Sequence, residues 1–277
     1  MTMMTAVMTT KTAGVTMKNN CLTMNTKRLF CFPAILLIAG SLSFATASCD
    51  KEEEESPVPE DATLAEKINV SGVQAEDIPQ LFASEGIEYF KVAVLNWAAT
   101  YPYLPQVDFA IAHNGKDILI HYRVTEKRTA GTMEQDLDGV FKESCCELFC
   151  MKEGDSQYYN IESNCIGSIL MECGTERSGR ETSTKENLQQ ISRWSSLGRK
   201  NVGLISHETH WELALVIPST VFWKHSYGTL SGKTFLANVY NCFGSGDDRQ
   251  YVTWHPIVSS GPDFHRPEYF RRIFFEK

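Results

Sequence analysis

The chain has 277 residues, of which 43% are hydrophobic and 22% charged, with 34 Asp and Glu against 26 Lys and Arg. That length suits one large or two small domains with a sizeable core. The acidic balance excludes nucleic-acid binding by counterion release and makes anionic polymers poor ligands.

The first residues differ in kind from the rest. Lys27-Arg28 precede an apolar run from Leu29 to Ala45, and small residues lead on to Ser48-Cys49. A basic start, a short apolar middle and a small-residue cleavage zone predict a signal peptide over residues 1–48, with Met24 as an alternative start. The apolar run, broken by Pro33, is marginal against the roughly twenty residues of a membrane span. Ala45-Thr46-Ala47 fits ordinary cleavage to a periplasmic or secreted protein. Thr46-Ala47-Ser48-Cys49 resembles a bacterial lipobox, in which Cys49 carries the lipid. The acidic segment 49–60 (Cys-Asp-Lys-Glu-Glu-Glu-Glu-Ser-Pro and onward) has no means of folding. It resembles the tether that follows the lipidated Cys in surface lipoproteins of Bacteroides-type bacteria. The expectation is an exported lipoprotein at the outer membrane or cell surface, meeting the membrane only through its lipid anchor. The leader carries Lys11, Lys18, Lys27 and Arg28 and no acid, so its removal takes the formal net charge from −8 to −12.

In the body, residues 61–277, Ala62–Ser84 reads as entry structure, with a turn or helix start at Glu76-Asp77-Ile78-Pro79. Lys91–Trp97 is a strand-like run, broken by Tyr101-Pro102-Tyr103-Leu104-Pro105. Val107, Phe109 and Ile111 alternate up to Asn114-Gly115, a strong hairpin signal, and Ile118, Ile120, Tyr122 and Val124 answer them. Thr125–Asp138 reads as a long loop.

Val140–Cys150 is a strand with two unlike faces, because alternate side chains point to opposite sides of a sheet. Ser144, Cys146, Leu148 and Cys150 suit a core, whereas Glu143, Cys145 and Glu147 ask for polar company. Turns at Gly154-Asp155 and Gly167 bound strands at Gln157–Cys165 and Ser168–Cys173. Residues 174–200 are polar, with a short helix predicted at Glu186–Trp194. His210–Ile217 alternates through Trp211, Leu213, Leu215 and Ile217; Thr234–Cys242, Gln250–Trp254 and Ile273–Glu276 complete the set. Many short strands with almost no helix predict an all-β fold, an antiparallel β-sandwich of jelly-roll kind.

Six cysteines (Cys145, Cys146, Cys150, Cys165, Cys173, Cys242) lie in the body, an even number that allows disulfides in an exported protein. The strand setting of Cys146 and Cys150 favours buried thiols instead. Zinc between those two is disfavoured, since strand positions i and i+4 stand about 13 Å apart against Zn–S bonds of about 2.3 Å. His207-Glu208-Thr209-His210 has the wrong spacing for a zinc protease. Glu143 and Glu147, likewise about 13 Å apart along a strand, cannot form a glycosidase pair; Glu147 with Glu162 on a neighbouring strand stays open. A haem site would need an axial Met or His pair, and Met133, Met151 and Met171 occupy no evident ligand setting.

Several phrases together carry a resemblance: Asn96-Trp97, Tyr101-Pro102-Tyr103, Phe109–His113, Val140–Phe149, Tyr159-Asn-Ile-Glu-Ser-Asn164 with Gly167, Ala237-Asn-Val-Tyr240, Thr253-Trp254-His-Pro256 and Pro262–Glu268. In order and spacing, from Ile87 to Glu276, they resemble the family 9-like carbohydrate-binding modules, in particular stand-alone versions exported by Bacteroidetes. The resemblance implies a non-catalytic β-sandwich that clamps a sugar ring between two aromatics and hydrogen-bonds its hydroxyls. It places the first clamp residue on Phe141, where the family has Trp, and the second on Trp254. The hydroxyl-binding carboxylate falls on Glu147, the amide of the Asn-x-x-Gly phrase on Asn164, and His265 near the same loops. Some members carry structural calcium, for which Asp136, Asp138, Asp247 and Asp248 are the candidates, and some are fused to xylanases. The implied partner is a glycan, no catalytic residue is assigned, and hydrolase and haem-sandwich readings stand as alternatives.

Overall fold

The computed structural model describes residues 58–277; the predicted signal, Cys49 and the tether through Pro57 lie outside the described residues. After β1 (Thr63–Lys67) comes a 3-10 turn and helix α1 (Ile78–Glu85). Pro79 sits in the first turn, where its missing N–H is not needed. Gly86 at φ 73° ends the helix by donating to the Phe82 carbonyl. There follow β2 (Phe90–Lys91), β3 (Gln106–His113), β4 (Asp117–Glu126), β5 (Thr129–Gly131), β6 (Ser144–Lys152), β7 (Tyr158–Asn164), β8 (Ile169–Gly174) and β9 (Glu181–Thr182). Helix α2 (Lys185–Leu188), β10 (Ser192–Ser195), β11 (Gly203–Ile205), β12 (Thr209–Pro218), β13 (Thr234–Phe243), β14 (Gln250–Thr253) and β15 (Arg271–Phe275) complete the chain.

Strands β10-β12-β4-β3, with β2 on β3, form one sheet, and β15-β13-β6-β7-β8-β9, with β14 on β13, form the other. Strand β1 joins them, running parallel to β3 on one side and to β15 on the other. The remaining pairings in both sheets are antiparallel, and the fold is the β-sandwich expected from the strand pattern.

The alternations of β3, β4 and β12 meet Cys146, Leu148, Cys150, Ile161, Phe235 and Val239 of the other sheet in one core. Each fully buried side chain of this size contributes about 1.5–3 kcal/mol of transfer free energy. The hairpin turn holds because Gly115 takes φ 88° while Asn114 Oδ1 accepts from the backbone N–H groups of Lys116 and Asp117.

Four boundaries differ from the sequence expectation. The helix of Glu186–Trp194 stops at Leu188, and Ser192–Ser195 turns into edge strand β10 paired to β12. Lys91–Trp97 pairs only at Phe90–Lys91 and through a Val94–Thr253 bridge, because the Trp97 carbonyl accepts from Thr100 and Tyr101 in a turn. Within the expected loop Thr125–Asp138, Thr129–Gly131 pairs with β11. Strand β6 begins at Ser144 rather than Val140; Val140–Lys142 is a 3-10 turn.

Both sheets are covered on their outer faces as well. Helix α1 lays Ile78 and Phe82 against Ala110, Leu119 and Ala214. On the other sheet a second apolar cluster joins Cys145, Phe149, Tyr158 and Tyr240 to Trp97, Phe264 and Phe270. That outer face positions the candidate site.

Candidate functional site

Strand β6 is buried on both faces, so its parity divides two environments. Cys146, Leu148 and Cys150 enter the inter-sheet core, while Cys145, Glu147 and Phe149 face outward under the loops that follow β14. Glu147 stands in register with Glu162 of β7 on one side and Tyr240 of β13 on the other. Above them opens a cavity of about 370 Å³ walled by Phe141, Phe149, Tyr251, Phe264 and His265, with Glu147 and Glu162 below and Arg177 and Asp263 among its lining. Its volume falls within the range of small-molecule sites. Two other clefts are present, one of about 360 Å³ between β1 and β2 and a larger one of about 530 Å³ at the β3–β4 hairpin tip. Neither converges several aromatics and carboxyls.

Burial decides the charge state of the cavity's acids. Glu147 is 2% exposed and Glu162 4%. Burial, with Cys242 and Glu162 beside it, holds the Glu147 carboxyl well above the usual carboxylate range. Burial pushes Glu162 up to about 7, against the opposing hydrogen bond from Asn160. Glu162 Oε2 has no partner among the described residues. At the rim Arg177 Nη1 pairs with Asp263 Oδ1 at 3.2 Å. His265 Nδ1 shares a 2.9 Å hydrogen bond with the Tyr158 hydroxyl. Burial, and next Arg180 and Arg177, lower His265 to about 3, so the ring is neutral at physiological pH.

A raised carboxyl pKa has a defined sign in stability. Below about pH 4.5 both native and unfolded Glu162 are protonated, and as pH rises towards 7 only the unfolded chain gains by ionising. Stability is therefore expected to fall across pH 4.5–7 by about 3 kcal/mol on account of Glu162, with Glu147 acting in the same direction. Urea midpoints across that interval should slope less in Glu162→Gln; an unchanged slope contradicts the assignment.

Phe141 is 41% exposed, an unusual setting for a large apolar ring that lines a cavity. The 3-10 turn that carries it is clasped from two directions. Gly244 N–H donates to the Phe141 carbonyl at 3.0 Å, and Ser245 Oγ donates to the Lys142 carbonyl. A Cβ at position 244 would lie 2.4 Å from the Phe141 carbonyl oxygen, so Gly244→Ala must displace the turn. The expected cost is about 1–3 kcal/mol, readable by chemical denaturation, and full retention of stability would refute this close approach.

The sequence profile of carbohydrate-binding family 9 matches residues 76–275. The chain belongs to carbohydrate-binding family 9. A solved protein from Bacteroides uniformis, described as a candidate carbohydrate-binding protein, is similar at 37% identity with a TM-score of 0.75, over 78% of this chain and 99% of that one. A family 9 module from Caldicellulosiruptor kristjanssonii, solved with cellotriose, shares 10% identity and a TM-score of 0.50 over 77% of this chain and 94% of its own. At that identity the likeness concerns the fold alone. No curated protein matches the chain.

Of the residues singled out in this family 9 sequence, the structure brings Phe141, Glu147 and His265 to one cavity and places two elsewhere. Trp254 packs against the inter-sheet core, its ring 5.0 Å from Phe109 and 5.9 Å from Phe90. The cause is strand parity: Val252 and Trp254 share the core face of β14, and Tyr251 takes the opposite one. Asn164 uses its whole amide on backbone and Glu143. Its Nδ2 donates to the Met133 carbonyl and Glu143, and its Oδ1 accepts from Ser168 N–H. It closes the β7–β8 turn, where Gly167 has φ 80°. Tyr251, Asp263 and Arg177 were not found by sequence reasoning. Only the Tyr251 position carried a signal, as the off-parity aromatic beside Val252.

Two of the four residues considered for calcium, Asp136 and Asp248, are already paired with arginines. Asp136 Oδ1 is bound to Arg193 at 2.6 Å and to Ile169 N–H, and Asp248 pairs with Arg128 at 2.9 Å. A guanidinium group already supplies the positive charge at each.

Proposed function

We propose that the cavity holds one ring of a neutral glycan, with Phe141 stacking on its C–H face, Tyr251 as the second wall, and Glu147 with Glu162 bonding its hydroxyls. The observation that carries this reading is a single one. An exposed aromatic ring and two register-paired buried carboxyls line the same cavity. A sugar ring offers an apolar face and a rim of hydroxyls, and aromatics with polar groups match both. Two carboxyls this close do not both ionise. One protonated and one ionised acid then give a donor beside an acceptor, as a pair of ring hydroxyls requires. The acidic floor suits neutral sugars over anionic ones. Membership in carbohydrate-binding family 9, and the similar Bacteroides uniformis protein described as a candidate carbohydrate-binding protein, support the same ligand class.

The chain acts, in this proposal, as a non-catalytic binding protein exported and tethered at the cell surface through Cys49. Among the described residues no helix is long and apolar enough to cross a membrane. Affinity electrophoresis against a panel of plant polysaccharides tests the binding. Retardation on at least one neutral glycan, weakened in Phe141→Ala, is expected, and unretarded migration on every glycan discards the proposal. Loss of palmitate-analogue labelling in Cys49→Ala tests the anchor.

Hydrolysis is the second reading, because Glu162 supplies the second carboxyl in the same cleft. Directly opposed strand residues have Cβ atoms about 4.5–5.5 Å apart, close to the separation that retaining glycosidases use between carboxyls. Against it stands membership in a carbohydrate-binding family, which favours holding a glycan over cleaving it. Release of reducing ends from a retarded glycan, abolished by Glu162→Gln, would establish turnover. A haem site finds no axial pair here: the described residues lining the cavity include one His and no Met.

A further inference from the structure

The floor of the cavity holds two cysteines, beside Glu147, that sugar binding does not account for. Cys145 of β6 and Cys242 of β13 are directly opposed across the sheet, and Glu147 follows Cys145 by two residues on the same face. Both sulfurs and a Glu147 carboxylate oxygen lie within 4.8 Å of one another, with Cys242 Sγ 3.1 Å from Glu147 Oε1. All three side chains are at most 2% exposed.

We propose that Cys145, Cys242 and Glu147 form a binding site for a thiophilic divalent cation, zinc in the first place, whose fourth coordination position faces the cavity. Two sulfurs and one carboxylate oxygen are a borderline-soft donor set that suits zinc and excludes calcium or magnesium. Three protein ligands with one open position is the arrangement of zinc sites that take up a water or an exogenous ligand. A tetrahedral ion with Zn–S bonds of about 2.3 Å sets its two sulfurs about 3.8 Å apart, within reach of side-chain rotation from the separation seen. Access comes from the cavity, since Cys242 and Glu147 line it and Cys145 stands just beyond them.

The chemistry of the metal-free cluster points the same way. Three groups that can each lose a proton to a metal ion are packed together in a buried cluster, Cys242 Sγ 3.1 Å from Glu147 Oε1. The Cys242 thiol lies within donating distance of Glu147 Oε1 and the Phe141 carbonyl. Binding a divalent ion releases two thiol protons and the carboxyl proton to solvent, and the ligands' three negative charges then offset two positive ones. The other body cysteines differ: Cys146 and Cys150 face the inter-sheet core, out of reach of the cavity.

The test is a cobalt(II) titration of the full chain, purified reduced and kept free of oxygen. One equivalent of cobalt is expected to give thiolate-to-cobalt charge-transfer and tetrahedral ligand-field bands, both bleached by added zinc. Cys145→Ser and Cys242→Ser should lose the charge-transfer intensity, while Cys150→Ala keeps it. Should the serine variants fail to fold, judged by far-ultraviolet circular dichroism, the wild-type titration decides alone. Folded wild-type protein without these bands overturns the proposal, as does their persistence in both folded serine variants. So does a mass lower by two hydrogens that maps to a Cys145–Cys242 disulfide and resists reductant. The readout involves no glycan, so failure of sugar binding leaves it intact, and the reverse holds.

Discussion

Glu147→Ala is expected to weaken glycan binding by about tenfold to a hundredfold while leaving the free energy of unfolding within about 1 kcal/mol of the native value. The two effects separate because this carboxyl is expensive to the fold. It is 2% exposed, and burial beside Cys242 and Glu162 raises its pKa. Its contact in the described structure is a thiol, with no backbone N–H directed at it. Truncation removes a desolvated acid, which offsets the lost packing. The same truncation leaves a sugar hydroxyl unpaired in the bound state, and a buried polar group without its partner costs about 1–3 kcal/mol. Isothermal titration against the glycan identified by electrophoresis, with a chelator present so that metal plays no part, measures the first effect. Urea denaturation measures the second. Native affinity in a folded Glu147→Ala protein would remove Glu147 from the binding site.

Glu143→Ala should do the opposite, destabilising the fold by about 3–5 kcal/mol. Although 5% exposed, this carboxylate is fully engaged. Thr132 N–H donates to both its oxygens at 2.8 and 3.0 Å, and Met133 N–H and Asn164 Nδ2 donate at 3.1 and 3.2 Å. The Thr132 hydroxyl donates as well. Removing the acceptor leaves buried donors unsatisfied, each at about 1–3 kcal/mol. Glu143 also ends the 3-10 turn that presents Phe141, its N–H donating to the Val140 carbonyl, so glycan affinity should fall too, although Glu143 does not line the cavity. A urea midpoint indistinguishable from native would refute the clasp.

Much of the frame was legible because hydrophobic periodicity is local. The alternations Val107-Phe109-Ile111, Ile118-Ile120-Tyr122-Val124 and Trp211-Leu213-Leu215-Ile217 assign one face each to the core, and all of these residues lie there. Asn114-Gly115 sets its own turn through backbone chemistry within four residues. Where the pattern is short or polar, tertiary contacts decide. Ser192–Ser195 carries no strand pattern of its own and becomes one only because the edge of β12 offers partners for its backbone.

Glu143 and Glu147 show the division most clearly. By residue type and strand spacing they were alike, and sequence could exclude them as a catalytic pair only on distance. The 3-10 turn before β6 swings Glu143 towards Thr132 and leaves Glu147 alone on the outer face. There it meets Glu162, fifteen residues further along the chain, and Cys242 from far away in sequence. Trp254 and Tyr251 divide the same way, separated by parity about Val252 once β14 pairs to β13. Sequence by itself determined the sandwich, the core faces of its long strands and the family to which the chain belongs, since each rests on local patterning or on phrases in fixed order. Only the tertiary structure decided which carboxyls share a cavity, which aromatic walls it, and that two cysteines and Glu147 converge, because those neighbours come from strands joined by backbone hydrogen bonds that no single segment encodes.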